Sequence, residues 1–266
     1  MQVNISVVSH GHFNLIKKLG CIDLLSNERM VDICVVDNIG EKGFRTWCNE
    51  RNITYIKNDI RQGFGENNNK AFEFFYEKYL RVISDWHFLV LNPDVFISSE
   101  QLHLLIDTVQ CGAIKFSCIN LFKDANYNVY DNSVRKYPSL LDFLSSFVFA
   151  NNKTILNKSL IKEPQKVEWA SGSFLLFNSS LYKALKGFDE GYFMYCEDID
   201  ICMRANMLHN CQLTYLPQIK ALHLAAHENR KIFSKHFVWH VRSMLRYLLI
   251  KNYICIRKKI QFIFNT

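Results

Sequence analysis

Several features that would assign a chain to a specialised class are missing from these 266 residues. The nine cysteines form no Cys-x-x-Cys pair and their number is odd, which argues against a disulfide framework or a zinc site and for free thiols in a reducing compartment. No window approaches the ~20 apolar residues of a membrane span, because Arg246 and Lys251 interrupt the most apolar stretch. The first residues show neither the basic start nor the cleavage site of a signal peptide. We therefore expect a soluble or peripheral cytoplasmic protein.

Acidic residues are absent from one end of the chain. Residues 229–266 hold nine of the 32 Lys and Arg side chains and no Asp or Glu, which leaves 23 basic and 25 acidic side chains in the rest. The net charge of +7 therefore belongs to a tail, while the body is close to neutral. A short basic tail on a slightly acidic body argues against a nucleic-acid binder.

Short apolar runs alternate with helix-like stretches through the first half of the chain. Strands are predicted at 3–8, 31–36, 53–56 and 86–91, with helices at 12–25, 67–80 and 98–109. This rhythm predicts an α/β domain with a mostly parallel sheet between helices. Residues 120–165 are less regular and should pack over the site, before a strand at 167–177, a helix at 197–209 and a strand at 212–216. We predict one domain at 1–228, followed by the tail at 229–266.

Polar side chains gather where the predicted strands end. They are Ser9-His10, Asp37-Asn38, Asn58 and Asn92-Pro93-Asp94. The carboxyl ends of parallel strands face the ligand crevice of such folds. Asp94 lies where Mg²⁺ or Mn²⁺ could be held against a diphosphate, although Asn-Pro-Asp could also merely form a turn that caps the next helix. Asp37 could accept a hydrogen bond from a nucleobase or a ribose, or could only shape a turn.

A glycine-containing segment at 61–69 joins the third predicted strand to a helix. Gly63 and Gly65 would permit close backbone approach to an anionic ligand at the helix N-terminus, and an ordinary loop is equally consistent with them. Because the full Gly-x-Gly-x-x-Gly pattern is missing, a dinucleotide cofactor is disfavoured.

Three acidic residues, Glu197, Asp198 and Asp200, open the helix predicted at 197–209. Such residues complement the helix dipole, and Asp200 can pair with Arg204 at i,i+4. Capping alone does not require three acids, so Glu197 or Asp198 could face the cleft as a general base whose pKa is raised by partial desolvation. His223 and His227 follow the last predicted strand, where each could bind metal or phosphate or be structural.

Together these motifs resemble the family 2 glycosyltransferases with the GT-A fold. The resemblance covers about residues 3–227 and rests on segments 7–10, 35–38, 63–69, 91–94, 169–173, 187–190 and 193–200. More narrowly, the chain resembles bacterial rhamnosyltransferases that add L-rhamnose to N-acetylglucosamine-diphospho-polyprenol in O-antigen (lipopolysaccharide) assembly. Segments 130–138 and 229–235 carry this closer resemblance.

The resemblance implies an inverting transferase with Asp198 or Glu197 as base and with Mg²⁺ or Mn²⁺ held by Asp94 and His223. The nucleotide-sugar donor, dTDP-L-rhamnose in the closer resemblance, would contact Ser9, His10, Asp37, Gly63, Phe64, Gly65, Asn68, Asn92 and Asp94. The polyprenyl-diphosphate-linked acceptor would contact Trp169, Gly172 and Tyr195. The family often carries Asp-x-Asp at its metal site, whereas this chain has Asn92 at the first position, which removes one negative charge.

The tail interleaves basic residues with Phe233, Phe237, Val241 and Met244 or Leu245 at helical spacing. This pattern predicts either a helix packed on the body or an interfacial helix on an anionic membrane surface, here the cytoplasmic face of the inner membrane. Two other function classes stay open at this point. They are a nucleotidyltransferase of related α/β architecture and a catalytically silent scaffold that binds a sugar nucleotide.

Overall fold

The computed structural model describes residues 1–80, 85–149, 153–225 and 235–264. Its strands are β1 Gln2–Ser9, β2 Val31–Asp37, β3 Thr54–Lys57, β4 Trp86–Leu91, β5 Val95–Phe96, β6 Phe116–Phe122, β7 Val134–Arg135, β8 Gln165–Lys166, β9 Trp169–Ala170, β10 Phe174–Asn178 and β11 Thr214–His223. Its helices are α1 Phe13–Leu19, α2 Cys21–Leu25, α3 Phe44–Asn49, α4 Phe64–Tyr79, α5 Ser99–Cys111, α6 Leu140–Phe149, α7 Ser179–Ala184, α8 Glu197–His209 and α9 Lys235–Phe264, with a 3₁₀ turn at Lys158–Leu160.

The main sheet has the strand order β3-β2-β1-β4-β10-β6-β11-β5, with β8 paired to β11. Strands β1 to β4 run parallel, while β10 is antiparallel to both of its neighbours. Ser9 at the end of β1 lies opposite Asp37 at the end of β2, so the polar residues after these strands share one edge of the sheet. The predicted α/β fold is confirmed.

Several predicted boundaries differ from the structure. The strand predicted at 212–216 runs over Thr214–His223, and the helix predicted at 67–80 begins three residues earlier, at Phe64. The helix predicted at 12–25 is divided at Gly20, whose φ of 71° lies in the left-handed region. The strand predicted at 167–177 is two short strands, β9 and β10, separated by a turn. Strand β6 was not predicted, because its continuous burial on both faces of the sheet leaves no alternating pattern.

Helices cover both faces of the sheet. Val3, Ile5 and Val7 of β1 face one core with α1, α2 and α5. The other core holds Phe88 of β4 together with side chains of α4, α7 and α8. Tyr247 of α9 is fully buried in this second core. The C-terminal helix is therefore packed on the body, and the division of the chain at residue 228 stays a prediction.

All nine cysteines are free thiols. Among the described helices, including the 30-residue α9, none is both long and apolar enough to cross a membrane.

Candidate active site

A cavity of about 740 Å³ opens where the central parallel strands end, and we call it the strand-end cavity. His10 follows β1, whereas Asn92 and Asp94 follow β4, and all three side chains line it. Phe64, at the start of α4, forms another part of the wall. Four of the predicted donor contacts therefore share the edge of the sheet at which α/β folds bind ligands.

A second cavity, of about 360 Å³, adjoins the first, and we call it the carboxylate cavity. Its walls include the three predicted acceptor contacts, Trp169, Gly172 and Tyr195, and both candidate bases, Glu197 and Asp198. Part of the loop region at 120–165, which the sequence predicted to pack over the site, also lines it. The two cavities share walls formed by Phe64, Asn92 and Met194, so ligands bound in them would meet at this boundary.

Asp198 is half-buried in the carboxylate cavity and is held by the backbone. One of its oxygens accepts a hydrogen bond of 3.2 Å from the Gly172 nitrogen, and the other accepts one of 2.9 Å from the Ile199 nitrogen. Glu197 is only 7% exposed. Its Oε2 atom has no hydrogen-bond partner among the described residues, although a buried carboxylate normally needs one.

Burial raises the pKa of both carboxyl groups. For Glu197, burial and the neighbouring charge of Asp198 raise the pKa to about 8, which favours the protonated form of this group. For Asp198, burial raises the pKa above its usual range, against the hydrogen bonds from Gly172 and Ile199 and the charge of Arg135. A carboxylate with a raised pKa is a better proton acceptor at neutral pH, and Asp198 is the more exposed of the two.

The turn before α8 is strained. Tyr195 and Cys196 both have left-handed backbone conformations, with φ of 71° and 64°. This conformation is unfavourable for residues other than glycine. On the helix that follows, Asp200 forms an ion pair with Arg204, and the Oδ2 and Nε atoms of this pair are 2.6 Å apart. That i,i+4 pair was predicted from the sequence and is confirmed. Because Asp200 is engaged in this pair, Glu197 and Asp198 are the two acidic residues of this turn that line the carboxylate cavity.

The glycines of the site allow close packing of protein against protein. A Cβ atom on Gly63 would lie 2.7 Å from the Phe193 carbonyl oxygen, and one on Gly65 would lie 2.6 Å from the Phe188 Cβ. A Cβ atom on Gly172 would lie 2.9 Å from the Phe64 ring. Gly63 and Gly65 are thus needed where α4 meets the loop before α8, and their predicted donor contact stays a prediction.

Two other predicted donor contacts, Ser9 and Asp37, are fully buried and do not line the strand-end cavity. Asp37 accepts hydrogen bonds from the backbone nitrogens of residues 39 to 41 and from the hydroxyl of Tyr55. Ser9 donates to Glu41 at 2.6 Å. These contacts order the loop after β2, and a role of either residue toward the donor stays a prediction.

Asn68 is also fully buried, on α4. Its side chain accepts a hydrogen bond from the Ser6 hydroxyl at 2.7 Å and donates to the Phe64 carbonyl at 2.9 Å. This pair of bonds ties α4 to β1 and thereby fixes Phe64 at the shared wall. Its predicted contact with the donor stays a prediction.

Asp94 and His223 form the candidate metal site. The Oδ2 atom of Asp94 lies 3.5 Å from Nε2 of His223, and the other ring nitrogen of His223 lies 3.5 Å from Oδ2 of Asp131. Burial lowers the pKa of His223, but the two carboxylates outweigh it and raise the pKa to about 9. Burial raises the pKa of Asp94, whereas the charge and hydrogen bonding of His223 bring it below its usual range.

One carboxylate oxygen of Asp94 indicates that a divalent cation fits between these side chains. Oδ1 of Asp94 is buried without a hydrogen-bond partner in the described part of the chain. In the same part, no three metal-binding side chains converge on one point. One carboxylate and one imidazole suit Mg²⁺ or Mn²⁺ only where substrate phosphates complete the shell. Because the two carboxylates favour the protonated ring of His223, a cation that binds this ring would have to displace its proton. His227 lies outside the described residues.

Sequence reasoning missed the contribution of α9 to both cavities. His236 and Trp239 line the strand-end cavity, and His240 lines the carboxylate cavity. Trp239 packs on Phe193 with ring centroids 4.8 Å apart, and His240 stacks on Tyr195 at 4.8 Å. The only signal in the sequence was the spacing of these three residues, which places them near one another on a helix.

Solved structures with a similar fold were found. A mannosyltransferase from Pyrobaculum calidifontis, solved with GDP-mannose and Mn²⁺, has a TM-score of 0.55 at 13% identity over 91% of this chain and 60% of its own. Staphylococcus aureus TarS residues 1–349 with UDP gives 0.55 at 14% identity, over 84% and 60%. The chain thus spans less than two thirds of either. The fold is that of the GT-A glycosyltransferases.

Sequence relatives narrow this class, although no protein-family model matches the chain. Rhamnosyltransferase WbbL of Escherichia coli K12 is 41% identical over 251 residues, which is 94% of both chains. An N-acetylglucosaminyl-diphospho-decaprenol L-rhamnosyltransferase of Mycobacterium tuberculosis is 28% identical over 84% of this chain and 76% of its own. The chain belongs to this family of rhamnosyltransferases.

Proposed function

We propose that the protein transfers L-rhamnose from dTDP-L-rhamnose to N-acetylglucosamine linked through a diphosphate to a polyprenol. The observation that carries this proposal is the position of Asp198, in a cavity that shares the Phe64 and Asn92 walls with the strand-end cavity. The donor would occupy the strand-end cavity and the acceptor sugar the carboxylate cavity. The acceptor named for the Mycobacterium relative supports this choice of lipid-linked sugar.

The reaction in this arrangement is a single displacement. Asp198 accepts the proton of the attacking acceptor hydroxyl, and that oxygen bonds to the anomeric carbon as the bond to the nucleotide diphosphate breaks. The hydrogen bonds from Gly172 and Ile199 hold the carboxylate in place, which limits the reorganisation required. Attack opposite the leaving group inverts the anomeric carbon, and no covalent sugar intermediate is needed.

Asp94 and His223 would hold Mg²⁺ or Mn²⁺ in this reaction. A bound divalent cation would neutralise the charge that develops on the departing diphosphate. Asn92 replaces the first carboxylate of the family motif, yet it lines both cavities and can offer an amide oxygen to a ligand. The Mn²⁺ bound in the similar mannosyltransferase of Pyrobaculum calidifontis supports this choice of cofactor.

The surface of α9 supports a place for the protein on an anionic membrane. Met244, Tyr247 and Ile254 pack on the body. A separate apolar stripe faces solvent over roughly 33 Å, formed by Val238, Leu245, Leu249, Ile256 and Ile260, each 48% to 71% exposed. Exposed basic residues, Arg242, Arg257, Lys258 and Lys259, accompany it. Such a combination suits a helix resting on anionic lipid at the cytoplasmic face of the inner membrane.

Helix α6 adds a second exposed apolar set. Leu140, Leu141 and Leu144 are 49%, 76% and 47% exposed. Phe143, on the same helix, packs edge-on against Tyr247 of α9 with ring centroids 6.1 Å apart. The two helices therefore adjoin each other, beside the cavity in which we place the acceptor.

The test of the proposed function is a screen of labelled nucleotide sugars with an N-acetylglucosamine-diphospho-polyprenol acceptor. We expect transfer of rhamnose from dTDP-L-rhamnose, with inversion at the anomeric carbon, and thermal stabilisation by the same donor. Transfer of another sugar would reject the donor assignment, and donor binding without transfer to any lipid-linked acceptor would reject the acceptor.

A further inference from the structure

His12 is fixed at the wall of the strand-end cavity by two hydrogen bonds. Its backbone nitrogen donates to the hydroxyl oxygen of Ser9 at 3.1 Å, and its ring nitrogen Nδ1 accepts from the backbone nitrogen of His10 at 3.0 Å. Gly11 has a φ of 86°, a left-handed conformation that lets the chain turn back within these four residues. The segment that directly follows β1 therefore determines where the His12 ring lies.

The bond from His10 also determines which nitrogen of the His12 ring carries the proton. A neutral imidazole has one N–H donor and one acceptor nitrogen. Because Nδ1 accepts the hydrogen bond from the backbone, the proton of the neutral ring lies on Nε2. Within the described ranges of the chain, Nε2 of His12 has no hydrogen-bond partner. His12 is half-buried and lines the strand-end cavity, so this N–H donor can serve a ligand there.

The ring lies close to the place where the proposed reaction requires a diphosphate. Strands β1 and β4 are adjacent and parallel, with Ser6 opposite Val90, so the residues that follow them lie side by side at one edge of the sheet. Asp94 follows β4, and it is close enough to His12 for the two side chains to interact electrostatically. The proposed function places the departing diphosphate beside Asp94, and therefore within this neighbourhood.

The order of the strands separates the diphosphate from the nucleoside. The anomeric carbon must lie at the boundary with the carboxylate cavity, where Asn92 follows β4. The nucleoside then extends away from β4 toward Asn38, which follows β2 and also lines the strand-end cavity. His12 follows β1, which lies between β2 and β4 in the sheet. Its ring is therefore at the level of the diphosphate, between the sugar and the nucleoside.

We propose that His12 binds the diphosphate of the nucleotide-sugar donor through a hydrogen bond from Nε2. This inference rests on the proposed function. A hydrogen bond from a neutral ring to a charged phosphate oxygen is stronger than one between two neutral groups. Since the ring is already held by Ser9 and His10, little reorganisation is needed when the donor binds.

The test compares the dissociation constants of dTDP and of thymidine, which has no phosphate, by calorimetry in buffer that contains Mn²⁺. His12→Asn keeps an amide oxygen that can accept the hydrogen bond from His10 but is too short to replace Nε2. For this variant we expect the Kd of dTDP to rise about 10- to 100-fold, the size of a lost hydrogen bond to a charged group. The Kd of thymidine and the melting temperature without ligand should stay at wild-type values.

Two further variants separate the hydrogen bond from other effects. His12→Gln places an amide donor near the position of Nε2 and should keep part of the affinity for dTDP. His209→Asn, at the exposed end of α8, is the matched control and should behave as wild type.

Equal losses for dTDP and thymidine would overturn the proposal, because His12 would then act on the nucleoside or through the turn after β1. An unchanged Kd for dTDP in His12→Asn would overturn it as well. Failure of the proposed function is seen separately, since the wild-type protein would then not transfer rhamnose, whatever the variants bind.

Discussion

The backbone nitrogen of Gly172 donates a hydrogen bond to the carboxylate of Asp198, 3.2 Å away, while the α-carbon of the same glycine lies against the ring of Phe64. One residue without a side chain thus contacts both the candidate base and the wall shared by the two cavities. The spacing of Gly172 from Asp198 in the sequence gives no sign of this contact. It results from the packing of α8 against β9, whose last residue, Ala170, lies two positions before Gly172.

Gly172→Ala is expected to lower kcat by about 10- to 100-fold with little change in melting temperature, because a sub-ångström misplacement of reacting groups is costly. The new methyl group would lie 2.9 Å from Cε1 of Phe64 and 3.8 Å from Cβ of Asp198. The control is Gly112→Ala, whose methyl group would lie 3.0 Å from Ile114 and away from both cavities. Normal turnover by Gly172→Ala would show that the Phe64 wall tolerates displacement.

Asp198→Asn is expected to reduce turnover by roughly two to four orders of magnitude, because the amide cannot accept the acceptor's proton. Folding and donor binding should persist, since the amide oxygen still accepts a hydrogen bond from Gly172 or Ile199. Glu197→Gln is the matched comparison and should retain far more activity. If Asp198→Asn keeps near-normal turnover while Glu197→Gln abolishes it, the base is Glu197.

The raised pKa of Glu197 predicts how stability depends on pH. A glutamate ordinarily releases its proton near 4.5, but burial and Asp198 raise the folded-state pKa to about 8. The neutral form therefore favours folding at low pH, and this contribution is lost as the pH rises through about 8. Glu197→Gln stays neutral throughout, so its melting temperature should gain on the wild type between pH 5 and pH 8.5.

An exposed substitution, Glu163→Gln, provides the control for that pH series. Its melting temperature should follow the wild type across the range. A constant difference between Glu197→Gln and wild type at all pH values would mean that Glu197 is ionised in the folded protein from pH 5 upward.

Asp94→Ala is expected to abolish the extra thermal stabilisation that Mn²⁺ gives in the presence of dTDP, because it removes the buried oxygen that has no other partner. Chelators should depress the activity of the wild type. Asp107→Ala, at an exposed position of α5, is the control. Full wild-type activity in excess EDTA would show that Asp94 holds no essential metal.

The exposed stripe of α9 predicts binding to anionic vesicles. Leu249→Ser combined with Ile256→Ser should weaken sedimentation with anionic vesicles, because both residues are more than half exposed. Binding by the wild type should fall as salt is raised. The control pair, Leu104→Ser with Leu208→Ser, changes exposed leucines on α5 and α8. Equal binding to neutral and anionic vesicles would reject the electrostatic part of this prediction.

The sequence predicted those parts of the fold that local pattern determines. The strand at 86–91 and the helix at 197–209 have the predicted bounds, because strand burial and first-turn acids are local signals. The strand-end positions of His10 and Asp94 followed from the general rule for parallel sheets. What local pattern could not give was contact between distant segments, such as Asp131 with His223 or Trp239 with Phe193.

Helix α9 therefore contributes both to the strand-end cavity and to the exposed apolar surface. Near its start, Trp239 forms part of the strand-end cavity. Further along the helix, the apolar residues Leu245, Leu249 and Ile256 are exposed to solvent. A deletion from residue 241 would keep Trp239 yet remove Met244 and Tyr247, which anchor the helix in the core. Such a shortened protein should lose both nucleotide affinity and vesicle binding. Leu249→Ser combined with Ile256→Ser should weaken vesicle binding and leave nucleotide affinity unchanged.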